Sequence, residues 1–273
     1  MTFPSVPRRP PRAPIFNVPP IILVIVVVLA AIHVGRLALS EESDLWVLRQ
    51  LAFVPARLWA LVDPGIIARQ LAALSADPRT SEQAEIARFF LHGGPKPWSI
   101  LSYSLLHAGF AHLAVNMLWL VAFGAPVARR FGSLRFLAFL AVAAIAGAGA
   151  HAIAHPQAFE PIIGASAAVA GTVAAAVRFV FQPGESLGLR RDEGELLGAR
   201  APIPPLPLTK LFRDRQVVGF LGVWFILNFF VGILAVPLGV TEQAIAWEAH
   251  IGGFLAGLLL FSAFDPSSAK VVG

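Results

Sequence analysis

The sequence has no cysteine and little charge. None of its 273 residues is Cys, and 14% are Asp, Glu, Lys or Arg. Without cysteine, disulfides, thiol chemistry and cysteine-ligated zinc are excluded. A soluble domain carries about 25% charged residues. Here 57% of residues are apolar and the mean hydropathy is +0.73. That apolar surface exceeds what one aqueous core can hide, so the chain reads as a membrane protein. The net charge of +5 lies mostly in connections between apolar runs, with no basic stripe interleaved with aromatics. Nucleic-acid binding is therefore not expected. An internal repeat of the transporter kind is also lacking.

What is present is a series of long apolar segments. The first runs from Pro20 to about Leu39, and five more cover about 106–127, 134–154, 164–182, 217–236 and 244–264. Each is near the length that crosses a bilayer. The first is too long, and too poorly followed by small residues, for a cleaved signal peptide. Residues 1–18, rich in Pro and Arg, read as a disordered tail. Residues 41–105 mix charge with Trp46, Trp59 and Trp98 and read as a structured, partly helical loop at one membrane face. Residues 183–216, with their charges and prolines, read as an extramembrane loop, and 266–273 as a second tail.

Charge orients the spans. Arg8, Arg9 and Arg12 precede the first, Arg129, Arg130 and Arg135 follow the second, and six basic residues from Arg190 to Arg215 follow the fourth. The connections 155–163 and 237–243 contain no Lys or Arg. Positive residues stay in the cytoplasm, so both termini are expected there.

Polar residues within spans are costly and mark candidate sites. His112 and Asn116, four apart, share a helix face in the second span. They could also simply bond neighbouring helices. Ser166 opens the fourth span, where orphan backbone N–H groups and the positive helix end could stabilise an oxyanion. An N-cap or a packing role would equally suit a lone serine. The sixth span carries His250, Gly253 and Gly257 on one face, opposite the small residues Gly164, Ala167, Ala168 and Gly171 of the fourth. Close packing of those faces would bring His250 towards Ser166, and a serine needs such a base to act as a nucleophile. His112, Asn116, Ser166 and His250 all fall in the outer part of their spans, a depth that unrelated packing residues have no reason to share.

His112-x-x-x-Asn116, Gly164-x-Ser166 and Ala249-His250-x-x-Gly253-x-x-x-Gly257, in that order and topology, resemble the rhomboid intramembrane serine proteases over about residues 20–265. The resemblance implies an all-α, six-span catalytic domain over 19–265, of the bacterial core form. It implies a Ser166–His250 dyad with no acid. His112, Asn116 and the Ser166 backbone N–H would stabilise the oxyanion, and Gly164, Gly171, Gly253 and Gly257 would serve helix packing. Substrates would be transmembrane proteins cut near the outer face, with the lipid bilayer as surroundings and the bacterial inner membrane as location. The fifth span resembles the family's mobile gate. Two positions depart from the family pattern. Ala167 replaces the glycine after the serine. Ala170 stands where an aromatic often supports the base, so another group must hold the imidazole. The first loop lacks the family's usual Trp-Arg pair.

His33, His92, His107, His151 and His155 remain. His151 and His155 lie one turn apart, but no cysteine or inward carboxylate joins them in the pattern, so no metal and no cofactor are expected. Glu248, two residues before His250, points to another face. Arg178 is expected to anchor at the membrane interface. No feature fixes the oligomeric state. A rhomboid-like pseudoprotease, which binds membrane proteins without cutting them, and a small histidine-based transporter stay open as alternatives.

Overall fold

The computed structural model describes residues 18–182, 204–234 and 246–266, with the side chains of 231–234 excepted. The expected tails, apart from Val18 and Pro266, and residues 183–203 of the expected loop 183–216 lie outside the described residues.

The described chain is helical, with one isolated antiparallel bridge between Phe53 and Ile162. Helix α1 (Pro20–Leu37) starts at a proline in its first turn, where a missing N–H costs nothing. Four helices follow within residues 41–91: α2 (Glu41–Leu51), α3 (Pro55–Trp59), α4 (Pro64–Ala76) and α5 (Ser81–Leu91). Ser40 caps α2 by accepting from the Ser43 N–H, and three acidic residues sit in its first turn. Arg57 ties this layer together. It is buried and donates to the carbonyls of Phe90, at 2.6 Å, and Arg49, at 2.8 Å. Burial, with Arg49 adding to it, pushes its guanidinium down to about 10. Arg36 joins the layer to α1 through a two-pronged pair with Asp44, at 2.7 and 2.9 Å.

A short helix α6 (Ser99–Ser102) leads to α7 (Phe110–Trp119), a π-helical turn over Leu120–Gly124, and α8 (Ala125–Phe131). Pro126 explains the wide turn, because its ring cannot donate to the preceding turn and presses on it. Helix α9 (Ser133–Ala154), α10 (Ser166–Ala176), the short α11 (Leu208–Leu211), α12 (Arg215–Leu234) and α13 (Trp247–Phe264) follow among the described residues. Among the described residues, four stretches are long and apolar enough to cross a membrane: Pro20–Leu37, Phe110–Phe131, Ser133–Ala154 and Trp247–Phe264. Two shorter apolar helices, Ser166–Ala176 and Arg215–Phe230, stand at the other two expected spans. Exposed Val24, Val27 and Val34 on α1, and Val223, Ile226 and Phe230 on α12, leave apolar surface for lipid.

Small residues decide how α9, α10 and α13 pack. A Cβ on Gly253 would lie 2.0 Å from the Ala167 carbonyl oxygen, and one on Gly257 would lie 2.2 Å from that of Gly171. A Cβ on Gly252 would lie 2.5 Å from the Ala146 oxygen, on α9. Backbone therefore meets backbone on both sides of α13, which only glycine permits. Gly164 and Gly171 were expected in this seam. Gly171 belongs to it, while Gly164 lies just before α10. At the other end Arg178 is buried and donates to the carbonyls of Leu206 and Leu258, at 2.7 and 3.1 Å. It ties α10 to α13 and is not the interfacial anchor that the sequence suggested. Nearby, Arg130 pairs with Asp265 at 2.9 Å.

Gly257→Ala should therefore lower unfolding stability by at least ~1–3 kcal/mol, because the obstacle is backbone and not a movable side chain. Gly219→Ala, with nothing within 4 Å of the added methyl, should stay within about ±0.5 kcal/mol. Denaturant unfolding of both variants checks the contrast.

Candidate active site

Ser166 is the first residue of α10, and Ala165, not Ser166, occupies the N-cap. The serine hydroxyl is thus not used as the cap. The approach to it is fixed from outside the helix. Gly164 has φ +124°, a backbone state that L side chains rarely adopt. Its N–H donates to the Tyr103 carbonyl at 3.0 Å, and the Tyr103 hydroxyl donates to the Ala144 carbonyl on α9 at 2.8 Å. Tyr103 was not singled out from the sequence. It is the chain's one tyrosine, and it ties the turn before Ser166 to α9.

His112 lies against that turn. A Cβ on Gly164 would be 2.8 Å from His112 Nε2 and 3.7 Å from Ser166 Oγ. His112 Nδ1 accepts from the Ala108 N–H at 3.4 Å. A neutral imidazole that accepts at Nδ1 carries its proton on Nε2. The nitrogen beside Gly164 and Ser166 is therefore a donor. Asn116 is 4% exposed, and one N–H of its amide goes to the His112 carbonyl at 2.9 Å. Its second N–H remains for another acceptor. His107 packs edge-on against His112, with ring centroids 5.1 Å apart.

His250 reaches the same level from α13. Gly253 faces Ala167 and Gly257 faces Gly171, so the two helices run parallel in one register. One turn before Gly253, His250 is level with Gly164, beside the start of α10. Its Nδ1 lies 2.7 Å from Asn228 Oδ1 on α12. The Asn228 amide nitrogen donates to the Trp224 carbonyl at 2.9 Å, which turns its oxygen towards His250. An amide oxygen only accepts, so His250 Nδ1 carries the proton and Nε2 keeps its lone pair. Ala170, where the family often has an aromatic, is buried and carries only a methyl group. Asn228 is the group that holds the ring. Periodicity could not single it out, since Asn228 and His250 are joined only by the packing of α12 on α13.

Comparison with known proteins gives the family. A rhomboid domain matches residues 94–189. The RHOMBOID-like protein 5 of Arabidopsis thaliana is 30% identical over 268 residues, covering 94% of this chain and 72% of that protein. The chain belongs to the rhomboid family. The rhomboid protease GluP of Bacillus subtilis is 41% identical over 78 residues, which are 29% of this chain and 15% of that protein. The rhomboid protease GlpG of Pectobacterium atrosepticum is 24% identical over 163 residues, covering 60% of this chain and 47% of that one. The chain thus spans less than two thirds of these two bacterial rhomboids.

In this rhomboid, nitrogen-15 NMR of labelled histidine should show His250 protonated at Nδ1 and bare at Nε2 near neutral pH. Asn228→Ala should mix the two tautomers. An Nε2-protonated His250 in the unaltered protein would contradict the assignment.

Proposed function

We propose that the protein is an intramembrane serine endopeptidase that cuts transmembrane proteins in or near their spans. The observation that carries this reading is the opposite polarity of the two histidines at the start of α10. His112 offers an N–H beside Ser166, and His250 offers a lone pair at the same level. A donor and a base on either side of one serine are what acyl transfer needs.

In the proposed reaction Ser166 Oγ attacks the scissile carbonyl carbon while its proton passes to His250 Nε2. The carbonyl oxygen becomes an oxyanion, held by His112 Nε2–H, the remaining Asn116 N–H and the orphan N–H of Ser166. The tetrahedral adduct collapses, and the leaving amine takes the proton from His250. Water then hydrolyses the acyl-enzyme, with His250 as base again. Asn228 keeps the imidazole in the accepting tautomer and offers a hydrogen-bond partner when the ring becomes cationic. It is a positioning residue and does not touch the substrate. Both carriers of the dyad lie on helices locked by backbone contact, so the geometry is set before substrate arrives.

The wider reading follows the same residues. Six spans place both termini in the cytoplasm and the site near the outer face, with 41–105 at that interface and 183–216 inside. The exposed Trp46 and Trp98 of the interfacial stretch suit the headgroup level. A multi-pass protein of a bacterial plasma membrane fits this topology. Helical substrates must loosen before cleavage, because a regular helix hides its carbonyls.

Purified protein in liposomes, given a single-span model substrate, tests the proposal. Ser166→Ala and His250→Ala should each lose at least ~10³-fold in cleavage. His112→Ala should lose about 10²–10³-fold in kcat. Asn228→Ala should lose about 2–10-fold in kcat with KM little changed, the worth of one hydrogen bond. Equal cleavage by Ser166→Ala would reject the assignment. No cleavage by the unaltered protein across several substrates would favour a rhomboid-like pseudoprotease that binds without cutting.

A further inference from the structure

A second cluster lies at the other edge of α13, outside the proposed catalytic groups. His151 is in the last turn of α9, His155 follows the helix end, and Glu248 is in the first turn of α13. The sequence pattern offered the two histidines without a carboxylate, and the structure supplies it. His155 Nε2 lies 2.9 Å from Glu248 Oε1, and His151 Nδ1 lies 3.5 Å from Glu248 Oε2. One ligating atom from each of the three falls within 4.8 Å of the others.

We propose that His151, His155 and Glu248 bind a divalent transition-metal ion, zinc foremost, which clamps the end of α9 to the start of α13. Three arguments carry it. The donor set is two imidazoles and one carboxylate, a zinc set that leaves a fourth position for water. The spacing is within reach of one ion, because ligands about 2.1 Å from a tetrahedral ion are about 3.4 Å apart, and one atom from each residue already lies within 4.8 Å of the others. The polar atoms point inward. His151 is 8% exposed, and its Nδ1 is buried with no hydrogen-bond partner, though it faces Glu248. An ion there would satisfy a nitrogen that the carboxylate reaches only at long range.

The site is also reachable. His155 is half-exposed and lines an open cleft of about 430 Å³ that also holds Gln157 and Glu160. Glu160 adds negative charge near a cation's entry path. The two imidazole rings lie against each other, with centroids 4.9 Å apart. Small shifts of His155, beyond the last helical turn, would close the ligand set. The inference stands apart from the proposed proteolysis, since no proteolytic group is a ligand.

Metal-stripped protein in detergent, titrated with zinc and separately with cobalt(II) as an optical probe, tests it. One ion per chain should bind saturably, and cobalt should give the strong visible band of a four-coordinate site. His151→Ala, His155→Ala and the isosteric Glu248→Gln should each weaken zinc at least ~10-fold. Zinc should raise the thermal midpoint of the unaltered protein and not of these variants. His92→Ala, at an exposed histidine elsewhere, should bind like the unaltered protein. Absence of saturable binding, or affinity unchanged in the three variants, or loss with His92→Ala, would overturn the proposal and leave an ordinary histidine–carboxylate pair.

Discussion

Backbone contact between α10 and α13 is the constraint on which the rest of the structure depends. In lipid there is no hydrophobic force to press two helices together, so their approach is governed by what stands between them. Here nothing does. The Gly253 and Gly257 backbones rest on the carbonyl oxygens of Ala167 and Gly171. That contact fixes both separation and register, and the register brings His250 level with the turn that presents Ser166. Alanines and glycines of α9 close on the far side of the same seam, so the serine-bearing and histidine-bearing helices have little room to slide.

Around this rigid pair the polar groups are held by bonds of different strength. His112 is fixed by the Ala108 N–H and by close contact with Gly164, whose own backbone is tied to Tyr103. His250 instead takes its orientation from Asn228, on the peripheral helix α12. The aromatic ladder of Trp224, Phe225 and Phe254 packs α12 against α13 just below that bond. Displacement of α12 would therefore release the imidazole as well as open the bundle. The orientation of the His250 ring is thus tied to the position of α12 by one hydrogen bond.

Much of this was legible in the sequence, for identifiable reasons. Apolar length gives membrane spans because the bilayer imposes it, and the glycine pair of α13 announces a close approach. Counting along those spans leads one to expect His112, Asn116, Ser166 and His250 at one depth. What the sequence hid depends on contact between distant segments. Asn228 looks like an ordinary polar residue until α12 meets α13. Glu248 reads as facing away from His250, which is correct, but only the packing of α9 shows that it faces His151 and His155. Arg178 has an interfacial sequence position, yet carbonyls of two other segments bury it. The π-helical turn before Pro126 was also unmarked, since a proline can be accommodated in several ways.

The central claim is that Ser166 is a nucleophile made reactive by His250. The most direct measurement is covalent labelling with a fluorophosphonate, whose phosphorus is attacked only by an activated serine with loss of fluoride. Intact-mass and peptide analysis should find one adduct per chain, on Ser166, and none when His250 is replaced by alanine. Labelling on another serine, or undiminished labelling without His250, would contradict the account.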